Sequence, residues 1–302
     1  MTDPNKFRGS CLGIAGGLLL SIDPLLIRLM RIDDAWTIVI LRGLLMWSAF
    51  LLIYLLVPRW RTVIGTPWPT RRNLAPTLCF AIASITFINA LAHGAVATVL
   101  VIISSTPFIA ALLARLLFAE RVDRALLLAA AAGLCGVAVV MADAPRGGSL
   151  QASYFAMATA VAMALAFLCS SRVTGGTVGL PSLGALAASL LVIGLQLAPL
   201  DRIPALLAPT HGVWTLMEGA LVMPLALGLL ALSTRYVAAS NTGLFLLLET
   251  ALAPLWIWTM FGERPGIRVM LGGAIIIGAV LLHFVCTHRR PSLPATAATS
   301  SV

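Results

Sequence analysis

The feature that most constrains this chain is its series of long, uninterrupted apolar segments. Ten runs are each long enough to cross a lipid bilayer as a helix, at about 1.5 Å per residue. Apolar residues make up 60% of the sequence and charged residues 10%, so lipid rather than water must solvate most of the surface. We therefore predict an all-α polytopic membrane protein with about ten transmembrane helices. The runs lie at roughly 9–30, 35–57, 73–93, 95–118, 124–142, 151–171, 182–200, 212–234, 238–261 and 266–286.

The basic residues predict how these helices are oriented. The formal charge is +9, but Lys and Arg are scattered one to four at a time between apolar runs, a pattern that excludes nucleic acid as a partner and is typical of loops that meet lipid headgroups. Thirteen basic residues fall in loops on one side and six in loops on the other. Because cytoplasmic loops carry the excess of Lys and Arg, we predict a multi-pass protein of the cell inner membrane with both termini cytoplasmic.

The end of the fourth run is repeated at the end of the ninth. The first copy, STPFIAALLARLLFAER, occupies 105–121, and the second, LETALAPLWIWTMFGER, occupies 248–264. Glu120 and Glu263 hold the same place in the two copies, 143 residues apart. Each copy is followed by a short turn and an apolar run rich in Gly and Ala, which indicates an internal repeat of about five helices.

A repeat of five helices has a geometrical consequence. Because five is an odd number, the second copy must be inverted in the membrane relative to the first. Inverted repeats are typical of secondary transporters, which alternate access about a pseudo-symmetric site. We therefore expect two five-helix halves, 1–146 and 147–290, followed by a disordered cytoplasmic tail at 291–302.

The two repeated stretches resemble EamA-type transporters of the drug/metabolite transporter superfamily, and the similarity extends from the first helix to about Cys286. The resemblance implies ten helices, a central cavity between two bundles, and export or uptake of small metabolites. In this family the motif of the ninth helix usually reads Leu-Glu-Pro. Here Thr250 replaces the proline and Pro254 follows one turn later, so we expect any kink to be displaced.

Two ionisable residues lie inside the first and second runs, where an unpaired charge is costly. Asp23 and Arg42 are each about seven residues, or about 10 Å, from the predicted outer surface, so neighbouring antiparallel helices would let them meet. The pair would serve either as an outer gate or anion-attracting site, or as a structural ion pair. Arg28 is a competing partner for Asp23.

The first helix carries a second signal beside Asp23. Pro24 follows it, and an Asp-Pro pair can cap a helix that restarts after a break. Gly13, Gly16 and Gly17 precede it. The sequence leaves two interpretations open: a discontinuous, substrate-binding helix, or a kink with close helix packing through the glycines.

Glu249 lies about 16 Å into the ninth helix, near the bilayer centre. The repeat aligns it with Thr106, which follows Ser104 and Ser105 on the fourth helix. A central carboxylate beside hydroxyls would bind a substrate amine or carry a coupled proton. Because the family has a glutamate here across varied substrates, a helix-positioning role is the alternative.

Other polar residues are weaker candidates. Glu218 lies at a depth like that of Asp23 and is expected to join the pair. Asn89, Asn241 and Gln196 are expected to make helix–helix hydrogen bonds, with ligand contact by Asn89 or Asn241 as a further possibility. His93 is expected in a loop. Glu120 and Glu263 are expected to order short turns with neighbouring arginines.

The function that best fits these features is a secondary transporter, predicted to export an amino acid or related metabolite. The chain has one lysine, Lys6, and it lies outside any P-loop pattern, so energy must come from a gradient, the substrate or a partner chain. No cofactor or metal is expected, and the five scattered cysteines are interpreted as core residues. The assembly is expected to be a monomer or homodimer, with proton coupling possible.

Three alternatives remain at this stage. Uptake of a vitamin or nucleotide-like solute is the alternative within transport. A membrane-embedded enzyme is the alternative of another class, although the sequence has neither an HExxH helix nor a G-x-S-x-G turn. A receptor or scaffold is the third, but the loops are too short to hold a soluble signalling domain.

Overall fold

The computed structural model describes residues 4–94, 96–119, 124–141, 150–199, 209–262 and 267–289, and this part of the chain is helical without any strand. Six of its helices are long and apolar enough to cross a membrane, and four shorter apolar helices accompany them. The predictions for Glu120, Glu263 and the tail at 291–302 lie outside the described residues.

The helices follow the predicted apolar runs closely. In the first half they are α1 (Pro4–Leu20), α2 (Asp23–Met30), α3 (Ala35–Leu56), the one-turn α4 (Arg61–Ile64), α5 (Leu74–His93), α6 (Val96–Ile103), α7 (Thr106–Phe118) and α8 (Arg124–Met141). In the second half they are α9 (Leu150–Ser171), α10 (Leu180–Gly194), α11 (Pro209–Leu216), α12 (Met223–Ser233), α13 (Ala239–Phe245), α14 (Leu247–Phe261) and α15 (Ile267–Arg289).

The seventh predicted run, 182–200, differs most from its helix. Pro181 near the start of α10 needs no backbone donor there and is pre-set for a helical φ, so the helix begins at Leu180. It ends at Gly194, and Gln196 then takes a left-handed φ of 52°. Gln196 is exposed in the turn after α10 rather than within a helix.

Three of the predicted transmembrane segments are interrupted. The first breaks at Ser21 and Ile22, the fourth at Ser104 and Ser105, and the ninth at Leu246. The first of these lies where Asp23 and Pro24 predicted a break, although Ile22 keeps right-handed helical dihedrals, and a substrate-binding role of this helix stays a prediction. The eighth segment stays helical but changes to π-helix over Met217–Val222, between α11 and α12.

The break in the ninth segment lies N-terminal to Glu249, and α14 then continues from Leu247 to Phe261 through the position of Pro254. A bend of the helix axis at Pro254 stays a prediction, because a helix can continue through a proline and still be kinked there.

Small residues let the helices that surround these breaks pack closely. On α1, Gly13 and Gly17 contact Phe245 of α13, and a Cβ added to Gly16 would lie 2.8 Å from the carbonyl oxygen of Ala226 on α12. The first segment is therefore both interrupted and closely packed through its glycines. The most extensive helix pairs are α5 with α9, α8 with α15, α3 with α10, α1 with α12, and α5 with α10.

Candidate functional site

The broken segments meet at an internal cavity. Five polar side chains and twelve apolar ones line it. The volume open to the centres of water molecules is about 50 Å³, which holds about three waters. The polar side chains that line the cavity are Asp23, Arg42, Ser84, Thr159 and Glu249.

Arg42 is the centre of a buried ion-pair network. Its Nη2 donates to Oδ2 of Asp23 at 3.0 Å, and its Nε lies 3.1 Å from Oε1 of Glu218. The Arg42 side chain is 4% exposed, and both carboxylates are fully buried. The predicted Asp23–Arg42 pair is confirmed, as is the expectation that Glu218 joins it. Arg28, the competing partner, lies with its guanidinium carbon 4.3 Å from the centre of the Phe261 ring.

Each member of the network is placed by a local feature of the backbone. Asp23 is the first residue of α2, where the positive end of the helix dipole stabilises a carboxylate. Glu218 lies in the π-helical turn, where the extra residue per turn changes the direction of side chains and often marks a functional site. The absence of a side chain at Gly219 lets this turn approach Leu45 of α3, where an added Cβ would lie 2.8 Å away.

Glu249 occupies a similar position at another break. It lies in the first turn of α14, directly after the break at Leu246, is 4% exposed and lines the cavity. Its Oε1 has no hydrogen-bond partner among the described residues. A buried polar atom without a partner is costly in a folded protein, so this oxygen is positioned to accept a hydrogen bond from a ligand or water.

The hydroxyls of the fourth segment are used differently. Ser105 donates its hydroxyl to the carbonyl of Ile102 at 2.6 Å, and Thr106 donates to Ile103 at 2.5 Å. Ser104 is buried at the same break. None of the three contributes to the lining of the cavity, which Ile103 reaches from this segment. The hydroxyls of Ser105 and Thr106 therefore bond to carbonyls of their own segment at the break.

The remaining predicted polar residues lie away from the cavity lining. Asn89 is buried and donates to the carbonyl of Ile85 in its own helix at 2.8 Å, so this bond is within a helix rather than between helices. Asn241 is half-buried in the first turn of α13. His93 is the last residue of α5 and not a loop residue, and its Nδ1 is 2.8 Å from the carbonyl oxygen of Asn89.

Several site residues gave no signal in the sequence. The Phe87 ring lies 5.5 Å from the guanidinium carbon of Arg42 and also lines the cavity. Thr159 of α9 donates to the hydroxyl of Thr86 at 2.8 Å, and Ser84 on α5 has a buried hydroxyl without a described partner. Small hydroxyls and aromatics are common in apolar helices, so only the packing of α5 against α9 distinguishes these.

A tryptophan connects α14 to the break in the first segment. Trp256 of α14 donates its indole N–H to the hydroxyl of Ser21 at 2.8 Å. Ser21 lies in the break between α1 and α2, two residues before Asp23. The bond therefore joins the helix that carries Glu249 to the turn that places Asp23.

The charges around the cavity are unequal. Asp23, Glu218 and Glu249 supply three carboxyl groups, and Arg42 supplies one guanidinium. If all four groups were ionised, the described cluster would hold an excess of two negative charges in a low-dielectric setting, which is unfavourable without a bound cation or proton.

Comparison with known proteins gives one family match and matches to solved structures. Residues 7–142 match the sequence profile of the EamA-like transporter family. A solved structure titled only "Crystal structure of protein" is similar over 93% of this chain and 99% of its own, with a TM-score of 0.75 and 16% identity. At that identity the similarity shows the fold alone. No curated protein matches the chain.

Proposed function

We infer from the match over residues 7–142 that this chain belongs to the EamA-like transporter family, in the drug/metabolite transporter superfamily. We propose that it moves a small metabolite by alternating access, as an exporter of an amino acid or related solute. The family establishes a membrane transporter. The observation that carries the finer proposal is the buried Asp23–Arg42–Glu218 network beside Glu249, at a cavity where broken helices meet.

The helix pairing supports an inverted repeat of five helices. If the halves are related by a two-fold axis, each contact of one half has a counterpart in the other. The pair α5 with α9 then corresponds to α12 with α1, while α3–α10 and α8–α15 each map onto themselves. The breaks at Ser104–Ser105 and Leu246 also fall at nearly equivalent positions of the fourth and ninth segments. A cavity on such an axis can open to either side by a rocking movement.

The charge imbalance points to the substrate. A solute that brings an amine would offset the excess of carboxyl groups, and Arg42 would remain to hold a substrate carboxylate. A coupled proton would offset the same excess when the site is empty. An amino acid carries both groups, so this chemistry fits the proposed export of amino acids better than it fits an anionic solute.

The small volume of the cavity fits a closed step of the transport cycle. Room for about three waters is too little for a metabolite, so substrate entry requires the helices around the breaks to separate. The turns at 21–22, 104–105 and 246 replace some i→i−4 hydrogen bonds by i→i−3 bonds, and we place the hinges of this separation there.

The test uses Glu249→Gln, which keeps the shape of the side chain and removes its charge. The protein is first screened with a library of amino acids for thermal stabilisation, and the stabilising solute is then used for flux into proteoliposomes with and without a pH gradient. Asp33→Asn is the matched control, because Asp33 is an exposed acid in the turn after α2.

We expect Glu249→Gln to abolish flux, or its response to the pH gradient, at unchanged expression, and Asp33→Asn to transport normally. Flux per folded molecule that survives Glu249→Gln would reduce Glu249 to a helix-positioning residue. If no solute of the library stabilises or crosses with the wild-type protein, the proposed amino-acid substrate is wrong.

A further inference from the structure

A second cavity, different in kind from the first, lies at one end of the helix bundle. It is a groove of about 620 Å³ between the loop that joins α3 to α5 and the loop that joins α9 to α10. Backbone bonds hold the loops together, since Thr177 donates to the carbonyl of Val63 at 3.2 Å and Gly179 to that of Ile64 at 2.9 Å. The groove is therefore a built feature of the fold and not a gap between two independent loops.

Three arginines line this groove: Arg61, Arg71 and Arg72. The sequence has no Asp or Glu between Asp34 and Glu120, or between Asp143 and Asp201, so neither loop supplies a carboxylate. No ion pair to these arginines occurs within the described ranges. Three neighbouring guanidinium groups repel one another, and this repulsion is relieved when an anion lies between them.

The rest of the lining suits an oxyanion. The hydroxyls of Thr62, Thr70 and Thr174 add neutral donors, while that of Thr66 donates to the carbonyl of Trp68 at 3.2 Å. Gly65 and Gly175 have φ values of 93° and 131°, which L side chains rarely adopt, and an added Cβ at Gly175 would meet nothing within 4 Å. An added Cβ at Gly65 would lie 2.5 Å from the carbonyl oxygen of Gly176, so the two loops meet closely at this wall of the groove.

The loop around the arginines is ordered before any ligand arrives. Asn73 is buried and accepts from the backbone N–H of Thr70 at 2.5 Å, while its Nδ2 donates to the carbonyl of Trp68 at 3.2 Å. Arg61 donates from Nε to the carbonyl of Tyr54 at 3.0 Å and stacks over the Tyr54 ring. Preorganised donors lose little entropy when they bind an anion.

The position of the groove indicates where its ligand comes from. Trp60 and Trp68 on the same loop are 51% and 60% exposed, and exposed tryptophans in a membrane protein lie at the level of the lipid headgroups. We propose that the groove binds a phosphate group, that of an anionic phospholipid headgroup in the surrounding bilayer, across the two loops. The guanidinium group of an arginine can donate to two phosphate oxygens at once. A neutral headgroup is bound less well, because its own cation competes with the arginines for the phosphate.

The experiment measures binding of dioctanoyl phosphatidylglycerol, dioctanoyl phosphatidylcholine and inorganic phosphate to the purified full-length protein in neutral detergent. Variants are Arg71→Gln, Arg72→Gln and their combination. These side chains are exposed and join no ion pair among the residues that the structure covers, so the fold should not depend on them. Arg59→Gln is the matched control, since Arg59 is an exposed arginine of the same loop but does not line the groove.

We expect phosphatidylglycerol to bind the wild type and Arg59→Gln alike, and to bind about tenfold more weakly for each groove arginine removed. Phosphatidylcholine should bind weakly to all. Competition by inorganic phosphate would support recognition of the phosphate group, whereas inorganic phosphate that binds when phosphatidylglycerol does not would overturn the lipid as its source. An equal loss in Arg59→Gln and the groove variants would mean diffuse attraction only, and unchanged binding in the double variant would overturn the site.

Discussion

Arg42 and Arg71 carry the same guanidinium group into opposite surroundings. Arg42 is 4% exposed and lies between two fully buried carboxylates, with Glu249 lining the same cavity. Arg71 is exposed in a groove whose loops contain no acidic residue. The cavity has more negative groups than positive ones, and the groove has positive groups only. The comparison shows that the net charge of +9 says little about either site, because burial and partners decide what each arginine does.

The largest expected difference between the two regions is in stability. Arg42→Gln removes the one cation among three buried carboxyl groups, so we expect it to lower the free energy of unfolding by about 3–5 kcal/mol. Arg71→Gln changes an exposed charge and should stay within about 0.5 kcal/mol of the wild type. Unfolding in mixed detergent micelles, followed by tryptophan fluorescence, measures both. Similar costs for the two variants would break the distinction between buried and exposed arginine.

A double-mutant cycle sharpens the description of the cavity. Asp23→Asn and Arg42→Gln should each destabilise the protein, and together they should cost less than the sum, with a coupling of about 0.5–3 kcal/mol because the two groups are 3.0 Å apart. The same cycle for Arg71 and Arg72 should give no favourable coupling. Strict additivity at Asp23 and Arg42 would show that this ion pair does not form in the folded protein.

The backbone conformation of the groove can be tested by the same substitution, glycine to alanine, at Gly175 in the groove and at Gly194 outside it. A Cβ would meet no other atom within 4 Å at Gly175 or Gly194, but φ is 131° at Gly175 whereas Gly194 ends α10. Gly175→Ala should destabilise by about 1–2 kcal/mol through backbone strain, and Gly194→Ala should stabilise by about 0.5–1 kcal/mol. Thermal unfolding in the same detergent gives both values. The same sign at both sites would contradict the backbone conformation of the groove.

Salt gives the smallest expected effect. Raising NaCl from about 0.1 to 1 M shortens the Debye length from about 10 to 3 Å, which screens exposed charges and leaves buried ones nearly unaffected. Binding of phosphatidylglycerol to the groove should weaken several-fold, while the stability cost of Arg42→Gln should not change measurably. A salt-dependent cost at Arg42 would indicate that water reaches the cavity network in the resting protein.

The sequence by itself determined the class of the protein and the position of its helices. The hydrophobic effect and the cost of unpaired backbone groups in lipid force each long apolar run to become a helix, so the helices of the structure match the predicted runs within a few residues except at the end of α10. The same logic identified Asp23, Arg42, Glu218 and Glu249, because a charged residue inside an apolar run is conspicuous.

Only the tertiary structure decided what these residues meet and where the helices break. Ser104, Ser105 and Thr106 resemble ligand-binding hydroxyls in sequence, but Ser105 and Thr106 donate to carbonyls of their own segment. Ser84, Phe87 and the groove of Arg61, Arg71 and Arg72 gave no local signal, since each depends on helices or loops far apart in the chain. The local sequence changes the free energy of the turn before Glu249 and of the π-helical turn at Glu218 only slightly. The packing of neighbouring helices therefore determines where these two turns lie.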